Sequence, residues 1–202
     1  MKDRLIVVFA SFHSYELLYS RYFKLCSNYR LKKLERISHP QERKRGLLAE
    51  FCLIEAIRRF DKGYPLPLQI QTGLLGKPYL PDDSVHISLS HAGEFGAAAV
   101  STKPVGIDIE RTRSVSDRLV KRICTEKELE SIWLPNPTDE TFRNLFSAKE
   151  SVVKCSGKGI AALSSVETVG NQTIRQKFFG EYVLSAASVA DCEWEVYLCK
   201  EE

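Results

Sequence analysis

The sharpest chemical pattern in this chain is Gly106-Ile107-Asp108-Ile109-Glu110. If the segment is a strand, its two carboxylates share one face, about 6.5 Å apart, while Ile107 and Ile109 point to a core on the other. Carboxylates so placed repel unless a cation lies between them. Oxygen ligands at this spacing suit a hard ion such as Mg²⁺. A solvated strand face at a sheet edge would carry the same residues. A second group, Phe146-Ser147-Ala148-Lys149-Glu150-Ser151-Val152-Val153-Lys154, sets Glu150 and Lys154 at i,i+4 on a helix. That spacing serves an ordinary surface ion pair as readily as a reactive site. Lys158 follows in a basic Gly157-Lys158-Gly159 loop. A third group, Ser88-Leu89-Ser90-His91-Ala92-Gly93, ends a strand in a hydroxyl and an imidazole that could bind phosphate. It could equally be a turn capped by Ser90. No G-x-S-x-G elbow supports a hydrolase nucleophile.

The elements that must position these groups can be read from periodicity. Leu5 to Phe9 predicts a buried first strand. Leu18, Tyr22, Leu25 and Tyr29 recur at helical spacing, with Arg30, Lys32 and Lys33 at the end of that stretch, where cations suit the helix dipole. A second helix is expected after His39-Pro40, burying Leu47, Leu48, Phe51 and Ile54. Gly63 to Pro67, Gly76-Lys77-Pro78 and Pro81-Asp82-Asp83 are breaks. Val85–Leu89, Gly96–Val100 and Val105–Ile109 read as strands, and Pro104 marks a boundary between halves 1–104 and 105–202. Thr125 and Glu128 form a capping box. Pro135-Asn136-Pro137 ends that helix, and Thr138 or Asp139 caps another that runs to Gly157. Strands dominate after Ser165, and Trp194, Val196 and Leu198 alternate as one buried face.

The 202 residues suffice for one large or two small domains, and 44% hydrophobic residues allow a buried core. The net charge of +3 comes from 29 basic against 26 acidic residues interspersed along the chain, which argues against a nucleic-acid-binding module. Six cysteines lack C-x-x-C or zinc-ligand spacing and read as reduced thiols of a cytoplasmic protein. The apolar run after Arg4 is too short for a signal peptide or a membrane span.

The order Gly76-Lys77-Pro78, Ser90-His91, Gly106-Ile107-Asp108-Ile109-Glu110, then Lys149-Glu150-Ser-x-x-Lys154 resembles the 4′-phosphopantetheinyl transferase superfamily, in its two-lobed surfactin-synthetase-activating type. The resemblance implies an α+β fold, a pseudo-dimer of two similar halves with the active site between them, working as a monomer. It implies transfer of the phosphopantetheine arm of coenzyme A to a serine of an apo acyl or peptidyl carrier protein. It makes Asp108, Glu110 and Glu150 ligands of Mg²⁺, with Glu150 also the base for the carrier serine. It makes Lys154 the group that neutralises the phosphate or protonates the leaving group. Ser90 and His91 would touch the coenzyme's phosphates, Lys77 and Arg45 its 3′-phosphate, and Lys158 the coenzyme as well. Phe146 stands where this family often has Trp. Arg111, Arg113, Arg118, Lys121 and Arg122 would suit an acidic carrier or form a solvated helix face. An accessory member that binds without transferring is the rival reading, which the intact Asp108, Glu110, Glu150 and Lys154 oppose.

Overall fold

The computed structural model describes residues 3–82 and 84–199; Asp83, from the break at Pro81, lies outside them, as do residues 1–2 and 200–202. Strand β1 (Arg4–Ser11) is followed by α1 (Tyr15–Tyr22), α2 (Asn28–Glu35) and the long α3 (Pro40–Phe60). Two short strands, β2 (Gln71–Thr72) and β3 (Pro78–Tyr79), precede a hairpin of β4 (His86–Ala92) and β5 (Phe95–Ser101). Strand β6 (Val105–Arg111) opens the second half, followed by α4 (Asp117–Ile123), the short α5 (Glu126–Glu128) and its π-helical continuation Leu129–Trp133. Helix α6 (Asp139–Ser156), a 3₁₀ stretch (Ile160–Ser165) and strands β7 (Ile174–Phe179), β8 (Tyr182–Ser188) and β9 (Glu193–Cys199) complete this mixed α+β fold.

The sheets are ordered β4-β5-β1-β9 and β6-β8-β7, with β2-β3 as a separate pair. The sequence of strand, long helix and hairpin therefore occurs twice, as β1-α3-β4-β5 and as β6-α6-β7-β8. Alternation along β1 explains the layering. Ile6, Val8 and Ala10 pack with α3, while Leu5, Val7 and Phe9 pack with Ile107, Ile109 and Leu184 of the second sheet. Helix α6 covers the outer side of β6.

Glycine sets how closely each long helix approaches its strand. A Cβ on Gly96 would lie 2.5 Å from the Ala49 backbone nitrogen of α3, and one on Gly106 would lie 2.0 Å from the Ser151 carbonyl oxygen of α6. The two sheets meet where β4 and β6, both edge strands, lie side by side. The seam is not a strand ladder. Ser88 Oγ accepts from the Ile107 N–H at 3.0 Å and Ser90 Oγ from the Ile109 N–H at 3.3 Å. Hydroxyls thus satisfy the donors that an edge strand leaves open.

Most expected elements form, with three differences. The helix expected through Leu18 and Tyr29 is two helices, because Ser27 caps a new start by accepting from the Arg30 N–H, and Tyr29 is exposed. The last strand, expected within the second half, crosses back to pair in parallel with β1. As an edge strand it leaves Leu198 exposed, whereas Trp194 and Val196 pack between the sheets. The capping box at Thr125 and the left-handed stop at Gly157 (φ 70°) are as expected.

Gly106→Ala should cost about 1–3 kcal/mol, because the clashing atoms are backbone and α6 must lift away from β6. Urea denaturation of the variant measures this, and an unchanged midpoint would show that α6 does not rest on β6.

Candidate active site

Asp108 lies on β6 with its side chain toward α6, and it is 3% exposed. Its Oδ1 accepts from Ser90 Oγ at 3.0 Å and from Lys154 Nζ at 2.6 Å, while its Oδ2 is buried without a hydrogen-bond partner. Lys154 Nζ also donates to Ser90 Oγ at 3.0 Å. The Ser90 hydroxyl thereby uses its one donor and both acceptor sites. Glu150, one turn before Lys154, lies 3.9 Å from its ammonium. The i,i+4 pair is therefore the longer of two ion pairs, and Lys154 serves Asp108 first.

The carboxylates crowd one another. Burial, then the charge of Asp108, pushes Glu110 up to about 7, with Arg113 and Lys154 working against them and Glu150 adding to the rise. Burial also raises Glu150, opposed by Lys154 and reinforced by Asp108. A solvated strand face would show neither the burial nor these raised glutamates. The next residue after Ser90, His91, is exposed. The protein packed about it still lowers it below the usual imidazole range, chiefly by desolvation; Glu42 opposes this, and Arg45, Lys154 and Arg30 reinforce it.

Helix α6 is aimed by the residue beside Glu150. Lys149 is fully buried and pairs with the equally buried Glu128 at 2.6 Å. Glu128 also accepts from the Thr125 N–H at 2.9 Å and from Thr168 Oγ1 at 2.7 Å. This knot fixes α6 to the capping turn and to the loop after it, so that Lys149 points inward and the Glu150 face is turned to the seam.

Asp108, Glu110, Glu150, Lys154, Ser90, His91 and Lys77 all border one cavity of about 560 Å³. That volume falls in the range of small-molecule sites. Lys77 reaches it with two of its three ammonium donors already given to the Val105 and Cys155 carbonyls, and burial lowers its pKa. Two expected contacts are not brought in. Arg45 is held by the Gly93 carbonyl at 2.9 Å and by Glu42, outside the lining, and Lys158 is exposed between Gly157 and Gly159, which do line the cavity. In their place the cavity takes Arg30 and Lys33 from α2, Arg113 after β6, and apolar Leu75, Phe146 and Ile160. The signal for Arg30 was Ser27: read as a cap, it starts α2 there and sets Arg30 and Lys33 one turn apart on a single face.

Among the described residues no group of three or more His, Cys, Asp and Glu side chains is assembled as a ready-made metal centre. The donor set nevertheless fits a hard cation, because the Asp108 oxygen that has no partner is buried beside Glu110 and Glu150, both of which the Asp108 charge pushes up. Among those residues no helix is long and apolar enough to cross a membrane.

Residues 104–197 match the model of a family described as the 4′-phosphopantetheinyl transferase superfamily. The chain is 30% identical over 144 residues to the 4′-phosphopantetheinyl transferase Sfp of Bacillus subtilis strain 168, a match covering 70% of this chain and 64% of that protein. It is 33% identical over 136 residues to another Bacillus subtilis 4′-phosphopantetheinyl transferase, covering 64% of this chain and 59% of that one. It is 32% identical over 134 residues to the 4′-phosphopantetheinyl transferase psf-1 of Bacillus pumilus, covering 63% and 56%. The matches thus span less than two thirds of the length of these relatives.

Lys154→Ala leaves Asp108 without its counter-charge. The ammonium is 30% exposed, so the loss should fall somewhat below the usual range for hydrogen bonds to charged groups, at about 1–2 kcal/mol in chelator-treated buffer. A surface pair would cost at most about 0.5 kcal/mol. Denaturant midpoints of the two proteins distinguish these outcomes.

Proposed function

Because this chain belongs to the 4′-phosphopantetheinyl transferase superfamily, of the surfactin-synthetase-activating type, we propose that it transfers the 4′-phosphopantetheine arm of coenzyme A to a serine hydroxyl of an apo acyl or peptidyl carrier protein, releasing adenosine 3′,5′-bisphosphate. The observation that carries the proposal is the partnerless, buried Asp108 Oδ2 at a cavity where Glu110, Glu150 and Lys154 converge.

Asp108, Glu110 and Glu150 would hold Mg²⁺, which when bound neutralises the charge on the pyrophosphate oxygens. The serine Oγ attacks the β-phosphorus as the bond to the bridging oxygen of the adenylate side breaks. Glu150 takes the serine proton at its carboxylate. Lys154 donates toward the charge that develops on the leaving oxygen. Ser90 and His91 orient the phosphates from the first half, so the site needs residues of both halves.

We assign the 3′-phosphate to Arg30 and Lys33, with Lys77 contributing its third ammonium hydrogen, in place of the Lys77–Arg45 pair expected from the sequence. The placement of Arg30 and Lys33 on the cavity wall supports this. The recurrence of strand, helix and hairpin supports reading the molecule as a pseudo-dimer. A site assembled within one chain supports its working as a monomer, and six free cysteines support the cytoplasm as its setting.

Intact-mass measurement of an apo carrier incubated with coenzyme A, Mg²⁺ and the protein tests the function: one phosphopantetheine should be added. Asp108→Ala and Glu110→Ala should each lose at least about 100-fold in turnover, about 2.7 kcal/mol of transition-state stabilisation. Glu150→Gln should be nearly inactive, and saturating Mg²⁺ should restore little. An unmodified carrier with the unaltered protein, or full activity of these variants, would overturn the assignment.

A further inference from the structure

Glu50 is fully buried in α3, with Leu47, Phe51 and Ile54 among its neighbours in the helix. Burial raises its pKa, and Arg30, with Ser27, pulls the other way. A charge in such a place is costly unless it is paired and fully hydrogen-bonded. Glu50 meets both conditions in one turn of α2. Its Oε1 accepts from the Ser27 backbone N–H at 3.2 Å and its Oε2 from Arg30 Nε at 3.1 Å. Ser27 Oγ in turn accepts from the Arg30 N–H at 3.2 Å. The carboxylate therefore grips both the backbone that starts α2 and the side chain that leaves it.

Capping α2 does not require a buried charge, since the Ser27 hydroxyl already caps it. The charge is explained by what it does to Arg30. A guanidinium held at Nε cannot rotate freely, and its other edge keeps two Nη groups side by side. Among the described residues these Nη atoms make no protein hydrogen bond, and Arg30, 13% exposed, borders the cavity. A fixed Nη pair matches two oxygens of a terminal phosphate. Lys33, one turn on, adds charge without that geometry.

We propose that Glu50 is a positioning residue that, by locking Arg30, sets a preference for a ligand bearing a terminal phosphate monoester, coenzyme A over dephospho-coenzyme A. The inference rests on the transfer reading above. Glu50 touches no substrate. Its effect passes chiefly through Arg30, with the α2 turn held at the Ser27 N–H, and should appear in substrate binding rather than in turnover.

Transfer kinetics with coenzyme A and with dephospho-coenzyme A, for the unaltered protein, Glu50→Gln, Arg30→Lys, Arg30→Ala and the Glu50→Gln/Arg30→Ala double variant, test this. Glutamine keeps the shape but cannot accept from both donors. Glu50→Gln should raise the KM for coenzyme A about tenfold, leave kcat within about twofold, and leave the KM for dephospho-coenzyme A unchanged. The double variant should be no worse than Arg30→Ala, because the two residues act as one unit. Should Glu50→Gln fail to fold, Arg30→Lys decides. It keeps the charge at a partly exposed position but loses the held fork, and full retention of the preference would overturn the inference. Equal losses on both substrates with a lowered kcat and Tm would also overturn it, making Glu50 structural. An unaltered protein that transfers from both equally well would refute the role of Glu50 while sparing the transfer reading; one that transfers from neither would refute both.

Discussion

Asp108 is a carboxylate taken out of water, and the arrangement around it answers that cost. One oxygen is satisfied by Ser90 from the neighbouring sheet edge and by Lys154 from α6; the other has no partner. Burial and then the charge of Asp108 raise the proton affinity of both Glu110 and Glu150. Lys154 and Arg113 oppose these shifts without cancelling them. Under the proposed transfer, such a cluster would receive a cation and, through it, a phosphate.

The cluster exists only because two sheets are brought edge to edge. Ser88 and Ser90 alternate along β4 and hold successive inward-facing residues of β6 by their N–H groups. Gly106 lets α6 lie directly on β6, bringing Lys154 to Asp108, and Gly96 does the equivalent for α3 in the first half. The Lys149–Glu128 pair then fixes the face that α6 presents. Packing glycines, seam hydroxyls and a buried ion pair serve one end: they hold flexible charged side chains where their charges are felt.

Much of this was legible in the sequence, for local reasons. Alternation in Gly106 to Glu110 separates core from site, and Thr138 and Gly157 bound α6 by capping chemistry that needs no tertiary context. What escaped depends on distant residues. Parallel pairing of β9 with β1 joins the two ends of the chain and leaves no local mark. The resemblance puts Arg45 at the 3′-phosphate, but the Gly93 carbonyl and Glu42, three residues earlier, hold it outside the cavity lining. Arg30 reaches the cavity through Glu50, twenty residues on, whose burial no local pattern announces. The serine of Ser88 reads as an ordinary strand residue until its neighbour across the seam is known.

A crystal structure with coenzyme A and Mn²⁺ in place of Mg²⁺ tests the central claim most directly, because manganese can be located by its anomalous signal. The account predicts one manganese peak against Asp108 Oδ2, with the coenzyme's pyrophosphate beside it and between β4 and α6. A peak elsewhere, or a coenzyme bound with its pyrophosphate away from Asp108 and Lys154, would contradict it.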